Sequence, residues 1–228
     1  SSGMAGAQTL KNVFGSSVRA GSQAIEYRMG YTDDRGNGNW GFSQRIHYQR
    51  AFSESLRLRG ILSQRAVEGD NLEFRAFRLE TLYQVVERAN RGFDGAFRLD
   101  MQFEEGDNQP GFIRLSWAMQ VPVSETIRLR AIFQTGRDWG PGAEADLFSE
   151  IRLQAQYSPG GSFALGVDSF HSFGYWQAMG SFDEQNHLLG PYLSVEVSDA
   201  LGARFQYLAG LSDSAIDSQF RVFFDYGF

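Results

Sequence analysis

The sequence predicts an all-β chain, namely a single twelve-stranded, antiparallel, up-and-down transmembrane β-barrel over residues 24–228, preceded by a short N-terminal helix or plug over residues 1–23. Three observations predict it. Segments of about 8 to 11 residues alternate polar and apolar with period two, and in a strand successive side chains point to opposite faces. In one phase the apolar face of all twelve segments carries no charged residue, although 21% of the chain is charged. The connections alternate short and long, as they do on the two sides of a membrane barrel.

The N-terminal 23 residues do not alternate. Leu10, Val13, Phe14 and Val18 follow helical spacing, with Thr9 as a cap and Gly21 as a stop. Such a helix is marginal alone, so the spacing predicts that it rests on the inner leaflet or in the barrel lumen. The apolar faces of strands one to three are Ile25, Tyr27, Met29, Tyr31; Trp40, Phe42, Ile46, Tyr48; and Leu56, Leu58, Leu62. Strands four to six offer Phe77, Leu79, Tyr83, Val85; Phe93, Phe97, Leu99, Met101, Phe103; and Ile113, Leu115, Trp117, Met119. Strands seven to nine offer Ile127, Leu129, Phe133; Leu147, Ile151, Leu153, Tyr157; and Phe163, Leu165, Val167. The last three offer Leu193, Val195, Val197; Phe205, Tyr207, Leu211; and Phe220, Val222, Phe224, Tyr226, Phe228. Pro191 interrupts the tenth segment, so either the strand begins there or a bulge at Gly190 and Pro191 bends it.

Connections at 50–55, 86–92, 121–126, 158–162 and 198–202 are short; those at 32–39, 64–71, 104–111, 136–146, 171–187 and 212–218 are mostly longer and richer in Asp, Gly and Asn. Trp40, Phe103, Trp139 and Trp176 fall near the longer loops, and Tyr48, Phe52, Tyr83, Phe93, Tyr157, Phe163, Tyr226 and Phe228 near the short turns. Amphipathic rings prefer the two interfaces of a membrane. An even strand count places both termini on the short-turn side.

Composition agrees. Gly 26, only 5 Pro and 14% aromatics indicate turns between aromatic strands rather than disorder. The absence of Cys excludes disulfides and thiolate metal sites. A net charge of −6 gives no electrostatic basis for nucleic acid. No run of 18 apolar residues exists, which excludes a transmembrane helix but not a barrel. The lack of a charged and then apolar leader predicts a mature or trimmed chain.

The last ten residues, Q-F-R-V-F-F-D-Y-G-F, resemble the terminal strand of bacterial outer-membrane β-barrels, whose C-terminal Phe and alternate aromatics form the assembly signal. That resemblance implies an outer-membrane location with periplasmic termini, outer-membrane lipid around the barrel, and recognition of Phe220, Val222, Phe224, Tyr226 and Phe228 by the barrel-assembly machinery. The stretch E-Y-R-M-G-Y-T-D-D, Glu26 to Asp34, is similar to the first hairpin of twelve-stranded channels for acidic oligosaccharides.

The polar face carries Arg28, Arg45, Arg57, Arg59, Arg78, Arg98, Arg114, Arg128, Arg130, Arg152, Arg204 and Arg221 against Glu26, Glu80, Asp94, Asp100, Glu150, Asp168, Glu196 and Asp225. Lys11 is the only lysine among the 21 bases. An inward face with four more bases than acids reads either as an anion-favouring pore or as an Arg–carboxylate network filling a narrow lumen. Ile61, Leu82, Ile132, Phe148, Phe170, Leu208 and Phe223 share that face. In an open wet channel they would stand exposed, so they predict a constriction or a packed partner.

Three functions follow as expectations: a narrow Arg-lined channel for small anionic solutes; a non-conducting barrel that anchors or assembles with another envelope protein; and a lipid or peptide hydrolase. For the last, His47, His171 and His187 are the candidate bases. His171-Ser172 with Asp168 meets a geometric objection, since adjacent strand residues face opposite sides. No catalytic residue is assigned, and no cofactor or metal is expected. Asp33-Asp34 and Asp107-Asn108 read as turn formers.

Overall fold

The computed structural model describes residues 10–34, 39–106 and 109–228; Thr9 and the pair Asp107-Asn108 lie outside them. The described residues form twelve strands in one closed barrel. In order they are β1 (Gln23–Asp34), β2 (Asn39–Ala51), β3 (Leu56–Val67), β4 (Glu73–Val86), β5 (Asp94–Glu104), β6 (Gly111–Pro122), β7 (Ile127–Trp139), β8 (Leu147–Tyr157), β9 (Phe163–Tyr175), β10 (Asn186–Glu196), β11 (Leu201–Gly210) and β12 (Ser218–Gly227). Each pairs antiparallel with its sequence neighbour, and β1 closes on β12 from Ala24↔Gly227 to Asp33↔Ser218. Closure leaves no sheet edge, the condition under which strands can cross a hydrocarbon layer. No helix among the described residues is long and apolar enough to cross a membrane.

The outward face is apolar and uncovered. Ile46, Leu62, Leu79, Leu115, Phe133, Leu153 and Phe205 form its middle band. At the loop side Tyr31 stacks on Trp40 and Phe103 meets Trp139 edge-on; at the turn side Tyr226 stacks on Phe228. A barrel with this exterior and a charged interior is the inverse of a soluble one.

The chain runs through Pro191 without a break, because β10 begins at Asn186 and pairs continuously with β9 on both sides of the proline. On the β11 side the register is the same before and after Gly190–Pro191, so no bulge forms. Gly190 is what permits this. A Cβ there would lie 1.8 Å from the Tyr207 carbonyl oxygen. The turn at 86–92 contains one helical turn, α1 (Arg88–Arg91), stopped by Gly92 at φ 79°. Only Gly takes that conformation without cost.

The helix expected near the N-terminus does not form over residues 10–22, which are irregular; residues 10–16 lie inside the barrel, whereas residues 19–22 are exposed. The reason is where the backbone acceptors go. Arg28 Nη1 donates to the Leu10 carbonyl at 3.1 Å, Arg221 Nη1 to that of Lys11 at 2.8 Å, and Arg152 Nη1 to that of Asn12 at 2.9 Å. Charged donors on the wall replace the i→i+4 bonds of a helix. Leu10, Val13 and Phe14, spaced as a helical stripe, are nevertheless all buried. The chain re-enters the wall where Gly21 and Ser22 exchange backbone bonds with Ala51.

Candidate functional site

The lumen is built from the inward-pointing residues of every strand. Arg28, Arg45, Arg78, Arg98, Arg114, Arg152 and Arg221 are buried there, while Arg57, Arg59, Arg128, Arg130 and Arg204 are half-buried. Glu80, Asp94, Asp100, Glu150 and Asp168 are buried with them, Glu26 is half-buried, and Glu196 and Asp225 stand exposed at the short-turn mouth. Three clusters organise these charges. Glu80 is ringed by Arg59, Arg78 and Arg98 at 3.5, 3.7 and 3.6 Å. Asp100 bridges Arg98 at 2.7 Å and Arg114 at 2.6 Å. Asp168 accepts from Arg204, from Gln154 at 2.8 Å and from Gln206 at 2.7 Å.

Arginine suits this interior because one guanidinium carries five donors in a fixed plane. Arg152 uses Nε on Glu150 and Nη1 on the Asn12 carbonyl; Arg28 uses Nε on Glu26 and Nη1 on the Leu10 carbonyl. A lysine ammonium, being a point charge, does not span two such partners. The one lysine is itself a ligand of the wall, since Lys11 Nζ pairs with Glu150. Burial pushes the Lys11 ammonium down to about 8, against the pull of Glu150.

The segment is fixed further along as well. Phe14 lies under Arg98, whose guanidinium carbon is 3.6 Å from the ring centroid. Ser16 Oγ donates to the Asp94 carbonyl at 2.9 Å, Ser17 Oγ to the Asp94 carboxylate at 3.0 Å, and the Val18 amide to Gln84 Oε1 at 2.7 Å. Seven buried glutamines, Gln84, Gln102, Gln120, Gln134, Gln154, Gln206 and Gln219, thread through the wall. Residue type alone does not single them out. Their inward parity was the signal, because an uncharged amide draws attention only once the face it shares is known.

Of the inward apolar residues, Leu82, Ile132, Phe170 and Leu208 join Val13, Phe14, Ala96, Ala118 and Leu188 in one buried cluster across the lumen, with Val18, Ala215 and Ile216 against it. The packed partner is therefore the chain's own segment together with the loop before β12. Ile61 and Phe148 line open space instead, and Phe223 lies under the Arg28 guanidinium at 4.8 Å.

That open space is a cavity of about 970 Å³, floored by Leu10, Lys11, Asn12 and Phe14. Its inner wall presents Lys11, Arg28, Arg45, Arg59, Arg78, Arg98, Arg114 and Arg152 against two carboxylates, Glu80 and Glu150. Its rim carries Glu104, Asp138, Glu144, Asp146 and Glu184, with Arg75 paired to Glu104 at 2.9 Å. His47 also lines it, is 2% exposed, and has no hydrogen-bond partner on either ring nitrogen. Ser172 is buried and points inward like Asp168, whereas the register puts His171 on the opposite side, so the pairing of adjacent His and Ser fails as the strand geometry requires.

No family model matches the chain, and no curated protein does. Solved structures match its fold. The COG4313 outer membrane channel from Pseudomonas putida F1 superimposes with a TM-score of 0.77 at 9% identity, covering 96% of this chain and 100% of that one. The KdgM porin gives 0.65 at 11%, covering 90% and 99%, and has also been solved in complex with disordered oligogalacturonate. The NanC porin gives 0.65 at 9%, covering 89% and 98%. The chain shares the closed-barrel fold of these outer-membrane channels and porins.

Proposed function

We infer that this chain is a channel of the outer membrane of a Gram-negative bacterium, with both termini periplasmic, passing small anionic solutes through a narrow Arg-lined lumen that its own N-terminal segment occludes. The observation that carries the reading is the basic cavity. An anion that clears the acidic rim, which salt screens beyond about 8 Å, meets eight cations against two carboxylates and an unpartnered His47. Oligogalacturonate, seen with the KdgM porin, is a solute of the fitting chemistry, being an oligosaccharide with regularly spaced carboxylates. The outward aromatic face of β12 is the surface that the assembly machinery would read, and Phe224, Tyr226 and Phe228 stand open on it.

One observation favours a second reading, a sealed barrel that anchors another envelope component: the apolar cluster leaves Val13, Phe14, Ile132 and Leu208 almost wholly inaccessible. Planar bilayers separate the two. Under a KCl gradient the channel reading expects unitary currents with a reversal potential of anion-preferring sign, and Arg78→Gln should move that potential towards zero. Absence of current from both the full chain and a chain starting at residue 23 would remove the channel reading and leave the sealed barrel.

A further inference from the structure

The apolar outward stripe of β9 stops after Val167. The next two outward positions are Ser169 and His171, and across the ladder His187 of β10 stands opposite His171. Polar side chains on the lipid side of a barrel carry a cost that grows with depth. Three of them joined together therefore imply a use. Ser169 Oγ is hydrogen-bonded to His171 Nε2, and His171 Nδ1 lies 2.9 Å from His187 Nδ1. The second imidazole is held in place. Phe182 stacks on it at 4.2 Å with an interplanar angle of 16°, and Phe173 meets it edge-on at 6.1 Å. His187 is 2% exposed, while Ser169 and His171 are half-buried and open to the bilayer side.

A hydroxyl on an imidazole, itself oriented by a third group, is the arrangement that activates a serine nucleophile. Its level is also defined. His187 is the second residue of β10, and Trp176 stands exposed on the neighbouring loop, so the group sits at the loop-side end of the apolar band. Ester linkages of membrane lipids lie at that boundary between headgroup and acyl chain. A register shift in β9 between Ser172 and Gly174 adjoins the site, as bulges often do where side chains must be re-aimed.

We propose that Ser169, His171 and His187 form an esterase site on the outer wall of the barrel that cleaves acyl esters of membrane lipids. Ser169 is the nucleophile, His171 the general base and acid, and His187 a positioning residue. Ser169 Oγ bonds to the ester carbonyl carbon as its proton passes to His171 Nε2. The ester C–O bond then breaks, the leaving alcohol takes that proton, and an acyl-Ser169 remains. Water, deprotonated by the same imidazole, attacks the acyl carbon, and the fatty acid departs as Ser169 recovers its proton. For Nε2 to accept, the His171 proton resides on Nδ1 and is donated to the bare Nδ1 of His187. This site is independent of whether the lumen conducts.

The test uses the purified full chain in mixed micelles, with a fluorophosphonate probe and mass mapping of the adduct, beside fatty-acid release from a diacylglycerophospholipid and from an acylated glycolipid. An adduct on Ser169, with release from at least one of the two lipids, is expected, and the lipid that responds identifies the source of the ester. Ser169→Ala should abolish both signals. His187→Ala should lower kcat at least tenfold with KM nearly unchanged and should shift the pH profile. Failure of the unmodified, folded barrel to label at Ser169 or to release fatty acid from either lipid overturns the proposal, as does turnover that survives Ser169→Ala.

Discussion

Phe14→Ala is expected to unseat the N-terminal segment, turning a lysine-protected, rarely conducting barrel into one that is cut at Lys11 and carries current for much of the time. The ring is buried in the lumen cluster and covered by the Arg98 guanidinium at 3.6 Å. Truncating a buried Phe costs about 3 to 5 kcal/mol, and loss of a desolvated cation–π contact belongs to the same figure. If the segment exchanges between seated and released states, that cost multiplies the released population by roughly two to four orders of magnitude. The barrel wall itself is untouched, because residues 10–20 make no backbone-to-backbone bond with its strands. Lys11 is the only lysine, so a lysine-specific protease reports release at a single bond. Single-channel recordings give the matching open probability. Gly30→Leu should act in the same direction from the wall side, since even a Cβ at Gly30 would lie 2.9 Å from the Leu10 side chain. Cleavage and current that stay at the level of the unmodified protein in both variants would mean that the segment is a permanent part of the barrel.

The barrel was legible in the sequence because its signal is repeated and local. A strand alternates with period two whatever lies across from it, so twelve weak segments reinforce one another. The terminal strand shows the same parity from both sides: Phe220, Phe224 and Tyr226 are exposed outward, and Arg221 and Phe223 are buried inward. The N-terminal segment was legible only as apolar positions. Leu10, Val13 and Phe14 are buried as their character requires, but their conformation is decided by Arg28, Arg152 and Arg221, which are distant in sequence and capture the carbonyls a helix would have used. The Ser169–His171–His187 group was hidden for a related reason. Its members sit two residues apart on β9 and opposite each other across the ladder to β10, and that second relation depends on register. The separation into a packed half, around Phe170, Leu188 and Leu208, and a half with a basic cavity depends on where the segment and the loop before β12 lie. Alternation carries no information about either.

Removing the Asp168 carboxylate is expected to have the largest effect on stability of any single substitution in the wall. Asp168 is fully buried and collects Gln154 from β8 and Arg204 and Gln206 from β11. Asp168→Ala leaves a guanidinium without its counter-charge and two amides without an acceptor in the packed half of the lumen, away from the residues that line the cavity. Breaking one side of a buried ion pair in this way costs about 3 to 5 kcal/mol, and each orphaned donor acts in the same direction. The origin of the loss can be separated from simple cavity formation. Asp168→Leu combined with Arg204→Leu removes both charges and fills the space, so it should recover a large part of the stability that Asp168→Ala loses. Asp225→Ala, at the exposed mouth, should change stability by no more than about 0.5 kcal/mol. Urea titrations in detergent micelles, read by the mobility of unheated against heated protein on a gel, measure all three. A loss below about 1 kcal/mol for Asp168→Ala would show that water reaches Arg204 freely, and the packed half of the lumen would then have to be redrawn as a wet one.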